Sequence, residues 1–272
     1  MQYLTSITQA DKENVYINNN SKPFIVLCDD LNDYVCKYNK SSSTAFRLFN
    51  EYISASFLKL WQLNVPDFCF INVKREHIPQ DLGFPYYFFD VPCFGSLFNR
   101  NFKEVDNFFS GFKYADSHKF QSIADYFKIA LFDIWLANDD RHPGNYNLLI
   151  DTEQNNKLIP IDHEAVFNTS NLHLGLYPIS YEASILSSEI VHRMLKNYAS
   201  NQQFVNNLEN YLYLCVKVCL ENLDNILYNS PNEWNIDKQK IKELLIQHIF
   251  NKEWSLICWK TFREFLQIRL NN

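Results

Sequence analysis

No apolar run in this chain approaches the roughly 20 residues that a membrane helix requires. The most apolar late segment, YLYLCVKVCL, carries Lys217 in its middle. The opening residues, MQYLTSITQADKENV, lack a basic stretch followed by an apolar one, so no signal peptide is expected. Basic residues do not dominate either. The net charge is −6 and no basic stripe stands out, which excludes nucleic-acid binding over a wide surface. The seven Cys include no C-x-x-C pair. Cys215 and Cys219 share a helical face, but no nearby His completes a zinc spacing. Reduced thiols in the core of a cytoplasmic protein are the expectation. There are no repeats, and no low-complexity tract beyond NNN at 18–20. Glycine is scarce, with five residues in 272.

What is abundant is core material: the chain is 47% hydrophobic and 16% aromatic. That suits one large domain, or two lobes sharing a cleft. PFIVLC (23–28) and YVCKY (34–38) flank the polar turn DDLND and read as a β-hairpin. Strand alternation points Tyr34, Cys36 and Tyr38 one way, and Val35 and Lys37 the other. SSST (41–44) offers a helix N-cap. In the helix that follows, Phe46, Phe49, Ile53, Phe57 and Leu60 form one apolar stripe. FCFINV (68–73) and YYFFDV (86–91) are strand-like and joined as a hairpin. Beyond residue 97 the pattern becomes helical, over 122–137, 183–198, 203–228, 237–250 and 253–269. The expected fold is α+β: a small β-rich lobe with one helix over 1–97 and a larger helical lobe over 98–272.

Residues 138–175 interrupt the helices with a second hairpin, NYNLLID (145–151) and KLIPIDH (157–163). A turn centred between Glu153 and Gln154 places Asn145 opposite Asp162 at the hairpin's open end. An amide oxygen beside a carboxylate suits a hard divalent cation such as magnesium, whose shell substrate phosphates complete. Asp140, on the loop just before, is a second carboxylate able to orient a hydroxyl and accept its proton. Phosphoryl transfer needs this kind of positioning and charge neutralisation. It also needs a cation on the nucleotide phosphates. Lys37, a lone Lys in an apolar strand, fits that role, with Glu51 in the following helix to hold it.

In order along the chain, a strand Lys, a helix Glu, the loop Asp140-Arg141-His142-Pro143-Gly144-Asn145 and a strand-end Asp resemble the HipA-like kinases, and more distantly the phosphatidylinositol kinases. IDHEAVF (161–167) resembles the family's metal-binding segment, and NNSKPFIVLCDDLNDYVCKY (19–38) its nucleotide hairpin. FGS (94–96) and NSPNEW (229–234) share the family look. The resemblance implies an ATP- and magnesium-dependent kinase acting on Ser or Thr of a protein. Asp140 is then the catalytic base or hydroxyl-orienting residue, and Asn145 and Asp162 bind magnesium. Lys37 contacts the phosphates and Glu51 holds it. His142 braces the loop or the transferred phosphate. Asn19, Asn20 and Ser21 lie over the phosphates. The family also implies a toxin-related role with an antitoxin-like partner, although this chain is short beside the best-known toxin kinases and is expected to hold the kinase core without their extra N-terminal subdomain.

The segment at 18–21 reads Asn-Asn-Asn-Ser where the family is Gly-rich. A catalytically weak pseudokinase, serving as an interaction module, is therefore the alternative. Transfer of AMP and a small-molecule acceptor also stay open. A metal-dependent hydrolase using Asp140, His142, Asp162 and His163 ranks last, because it leaves Lys37 and Glu51 without a role. Blander readings exist for single residues: Glu51 pairing with Arg47 on an exposed face, Lys37 snorkelling from an edge strand, and Asp139, Arg141, His163 and Glu164 as loop scaffolding.

Overall fold

The computed structural model describes residues 1–9, 23–40, 44–78, 85–105, 123–189 and 200–271. Five strands close into a barrel: β1 (Tyr3–Gln9), β2 (Phe24–Cys28), β3 (Asp33–Lys37), β4 (Phe68–Asn72) and β5 (Cys93–Leu97), in the order β1-β2-β3-β5-β4. The expected hairpin is β2–β3, with Phe24 opposite Cys36 and Val26 opposite Tyr34. Its turn closes through the Asp30 carboxylate, which accepts from the Asn32 amide (3.1 Å) and the Tyr34 hydroxyl (2.7 Å). The alternation along β3 holds. Tyr34, Cys36 and Tyr38 enter the barrel core, while Val35 and Lys37 line a cleft outside it. Four of the Cys (Cys28, Cys36, Cys69 and Cys93) fill this small interior as buried free thiols. Gly95 is needed there, because a Cβ on it would sit 2.3 Å from Ile71 Cδ1.

Two expectations for this region are corrected. YYFFDV is no strand: Tyr86–Phe89 form a 3-10 turn, and the partner of β4 is Cys93–Leu97. Pro85 and Pro92 bracket the segment, and Phe89 packs on Phe24 and Tyr38 at the barrel mouth. The aromatic run thus plugs the barrel instead of extending its sheet. The chain start also supplies β1, parallel to β4, which the sequence reading did not assign.

Helix α1 (Phe46–Leu60) follows the hairpin. Its N-cap is Ala45, with no side-chain cap bond, so Thr44 does not cap it; Ser41–Ser43 lie outside the described residues. The helix is buried almost all round instead of along one stripe. Leu48, Asn50, Glu51, Tyr52 and Ser54 are buried along with the predicted positions, whereas Phe46 is exposed. The cause is long-range packing. Helices α2 (Ile123–Trp135), α3 (Gln202–Asn229), α4 (Lys238–His248) and α5 (Lys252–Asn271) share one core with α1. Trp61 stacks on Trp135, Tyr52 donates to the Ile226 carbonyl, and the Ala45 amide donates to the Trp234 carbonyl. Trp234, in the NSPNEW turn, also donates its indole N–H to the Pro92 carbonyl beside the barrel. Of the helix expected over 183–198, the described part holds a 3-10 turn, Ile185–Ser187; residues 190–198 lie outside the described residues.

Strands β6 (Phe102–Glu104), β7 (Leu148–Asp151) and β8 (Lys157–Pro160) form a second, three-stranded sheet. The β7–β8 hairpin exists, but its register is one residue off the expected one: Leu148 faces Pro160 and Asp151 faces Lys157. The turn is asymmetric. The Asp151 carboxylate accepts the amides of Glu153 and Gln154, and Asn155 and Asn156 both adopt positive φ. The ladder stops at Leu148, so strand pairing does not bring Asn145 to Asp162.

Candidate active site

Lys37 leaves the outward face of β3 and lines a cleft between the barrel and the β7–β8 hairpin. Val35 and Leu97 of the barrel line one wall, and Leu149 and Ile161 of the β7–β8 hairpin line the other. At the polar end the Lys37 ammonium donates to Glu51 Oε1 (2.5 Å) and to Asp162 Oδ1 (2.7 Å), with Glu164 3.8 Å away. Glu51 therefore pairs with Lys37 and not with Arg47, which reaches Glu164 instead (3.5 Å). Asp162 comes directly after β8 in a left-handed conformation, φ 60°. Asp is one of the few residues other than Gly that adopt this conformation readily.

Three carboxylates share one ammonium, and the electrostatics show the imbalance. Burial alone would lower the Lys37 pKa, but Asp162, Glu51 and Glu164 together hold it above its ordinary value. Burial pushes the Glu51 carboxyl up to about 8, against the pull of Lys37. Asp162 goes the other way: burial opposes ionisation, yet Lys37 keeps its carboxyl below the usual range. The site thus carries excess negative charge that a cation would relieve.

The catalytic-loop candidates lie beside this group. Asn145 and His142 exchange backbone hydrogen bonds (3.1 and 2.8 Å), which closes the loop at Pro143-Gly144. The Asn145 side chain donates to the Asp140 carbonyl (3.0 Å) and also favours the ionised Asp140 carboxylate. Burial, and then the charge of Asp162, raise the Asp140 pKa. Asn145 is therefore bonded to Asp140, which lies close enough to Asp162 to feel its charge. His142 Nδ1 accepts the Gly144 amide (3.2 Å), so this ring nitrogen braces the loop. Asn19, Asn20 and Ser21 lie outside the described residues.

Sequence reasoning read Arg141, His163 and Glu164 as loop scaffolding, with His163 also a ligand in the hydrolase alternative, and did not single out Asp133. Glu164 stands two residues after Asp162, and its carboxylate, with those of Glu51 and Asp162, forms a set whose oxygens lie within 4.8 Å of one another. Arg141 is fully buried and paired with Asp133 (2.9 Å). Among the described residues no set of potential metal ligands includes a His, and His163 is taken up by Arg141 (2.8 Å). The hydrolase reading therefore loses its ligand set. The donors that are present, carboxylates and the amide of Asn145, are hard oxygens of the kind magnesium selects.

Comparison with known proteins agrees with this geometry. The family model described as HipA-like kinase matches residues 14–252. Among solved structures, the chain is similar to the Helicobacter pylori proinflammatory kinase CtkA, at 13% identity and a TM-score of 0.54, with 98% of each chain covered. At that identity the likeness concerns the fold. No curated protein sequence matches.

Proposed function

The chain belongs to the HipA-like kinase family, and from that premise we propose that it is a two-lobed ATP- and magnesium-dependent kinase transferring the γ-phosphate to a Ser or Thr hydroxyl of a protein. The carrying observation is the Lys37 ammonium bonded at once to Glu51 and Asp162. In this reading residues 1–97 form the nucleotide lobe and 98–272 the lobe bearing the catalytic loop. The base of ATP enters the apolar cleft between Val35 and Ile161. Lys37, held by Glu51, meets the phosphates. Asp162 and Asn145 would hold magnesium, which supplies neutralisation of phosphate charge when bound. Asp140 accepts a hydrogen bond from the acceptor hydroxyl. As the new O–P bond forms and the bond to ADP breaks, the hydroxyl proton passes to the Asp140 carboxylate, whose raised affinity for protons suits the task. The Ser/Thr acceptor, the toxin-related role and an antitoxin-like partner rest on family membership alone.

Labelled ATP incubated with the protein and a cell lysate tests the reading. The parent should label protein, itself included, and Asp140→Ala should lose at least about a hundredfold, the lower end of the range for acid–base groups. Equal labelling by both proteins would overturn it. The pseudokinase alternative is favoured by the Gly-poor segment at 18–21. It predicts no labelling and no magnesium-dependent effect of ATP on stability.

A further inference from the structure

Arg141 exposes no surface. Its Nε donates to Asp133 Oδ2 (2.9 Å), its Nη1 to the carbonyls of Tyr146 (3.2 Å) and Asn147, and its Nη2 to the Ile161 carbonyl (3.0 Å) and His163 Nε2 (2.8 Å). One planar group thus ties α2, the catalytic loop and the segment after β8 together. A guanidinium presents donors in a fixed fork, a geometry that the point charge of a Lys cannot reproduce. The two partners of Nη2 flank Asp162 on either side in sequence. The second of them, His163, passes the constraint on, because its backbone amide donates to Glu51 Oε1 (2.9 Å). A continuous path of bonds therefore runs from Asp133 through Arg141 and His163 to Glu51 and Lys37. Asp162, with its left-handed φ of 60°, lies in sequence between the two residues that Nη2 holds.

We propose that Arg141 and His163 are positioning residues that pin the backbone on both sides of Asp162, hold it left-handed, and so aim its carboxylate at the cation site. This rests on the kinase reading. Because Nη2 donates to Nε2, that nitrogen is unprotonated and the ring proton sits on Nδ1, a tautomer inferred from the bonding. Burial, and then Arg141 and Lys37, keep the ring neutral. Phe132 stands edge-on to it, with ring centroids 5.9 Å apart. Arg141 is fully buried, and His163, which borders the cleft, reaches Glu51 through its backbone amide. Their effect would therefore be felt as cation affinity and not as loss of nucleotide contacts.

Gln and Met are nearly isosteric, and only Gln carries an acceptor, so His163→Gln and His163→Met isolate the bond from Arg141. The readout is thermal stabilisation by a non-hydrolysable ATP analogue as Mg²⁺ is titrated, alongside the analogue's effect without Mg²⁺. His163→Met should raise the Mg²⁺ concentration for half-effect about tenfold or more, the scale for losing a partner behind a metal ligand. The magnesium-free effect should be unchanged, and His163→Gln should recover most of the loss. If His163→Met fails to fold, Arg141→Lys reads the same quantity, since it keeps the charge opposite Asp133 and loses the fork. A folded His163→Met or Arg141→Lys that titrates Mg²⁺ like the parent overturns this inference and leaves the kinase reading standing. A parent with no magnesium-dependent effect overturns both.

Discussion

Two buried charge clusters lie within a few residues of each other, and they are built on opposite principles. Around Arg141 the charges balance: one guanidinium meets one carboxylate, Asp133, and the remaining donors end on carbonyls and His163. Asn138 satisfies the other oxygen of Asp133 (2.8 Å). Around Lys37 the charges do not balance, since Glu51, Asp162 and Glu164 compete for one ammonium at the edge of an open cleft. A closed network specifies a conformation, whereas an overloaded one waits for a ligand. The difference separates the scaffold from the site.

The comparison breaks most visibly at Arg141. Replacing it by Met leaves Asp133 buried and uncompensated, so Arg141→Met should cost about 3–5 kcal/mol of unfolding free energy. Denaturant unfolding would measure this, and a loss below about 1 kcal/mol would deny the scaffold role. Glu51 gives a smaller and pH-dependent effect. Its carboxyl is raised from 4.5 to about 8 in the folded protein. The folded state therefore binds a proton that the unfolded chain releases, and stability falls as pH rises through that window. Glu51→Gln lacks this proton. The parent should lose stability relative to Glu51→Gln as pH climbs from 4.5 toward 8, and parallel melting curves across that range would refute the assignment.

Much of the site was legible because short-range periodicity governs it. On β3, period two alone separates Cys36, inside the barrel, from Lys37, on the cleft. A cation in an apolar strand also stands out by eye. Family resemblance added the order of the loop and hairpin residues. What was not legible depends on contacts distant in sequence or on turn detail. Glu51 could be chosen as partner only by plausibility, since its burial comes from helices far along the chain. Arg141 could be read only as a loop residue, because its partner Asp133 lies on the preceding helix and faces inward. The hairpin register slipped by one residue because two left-handed Asn residues and the Asp151 turn moved its centre from between Glu153 and Gln154 onto Gln154. YYFFDV misled because β propensity measures fit to a half-buried surface, and here the surface is a barrel mouth bounded by prolines.

The most direct measurement concerns Asp162, where the excess charge, the left-handed backbone and the proposed cation converge. Thermal unfolding of the parent and of Asp162→Asn should be followed with an ATP analogue, with and without Mg²⁺. Because Lys37 stabilises the ionised Asp162 carboxylate, the ligand-free variant should be somewhat less stable than the parent. The parent should gain stability from Mg²⁺ with the analogue, and Asp162→Asn should not. A variant that is stabilised by Mg²⁺ as fully as the parent would contradict the assignment of Asp162 as the cation-holding residue.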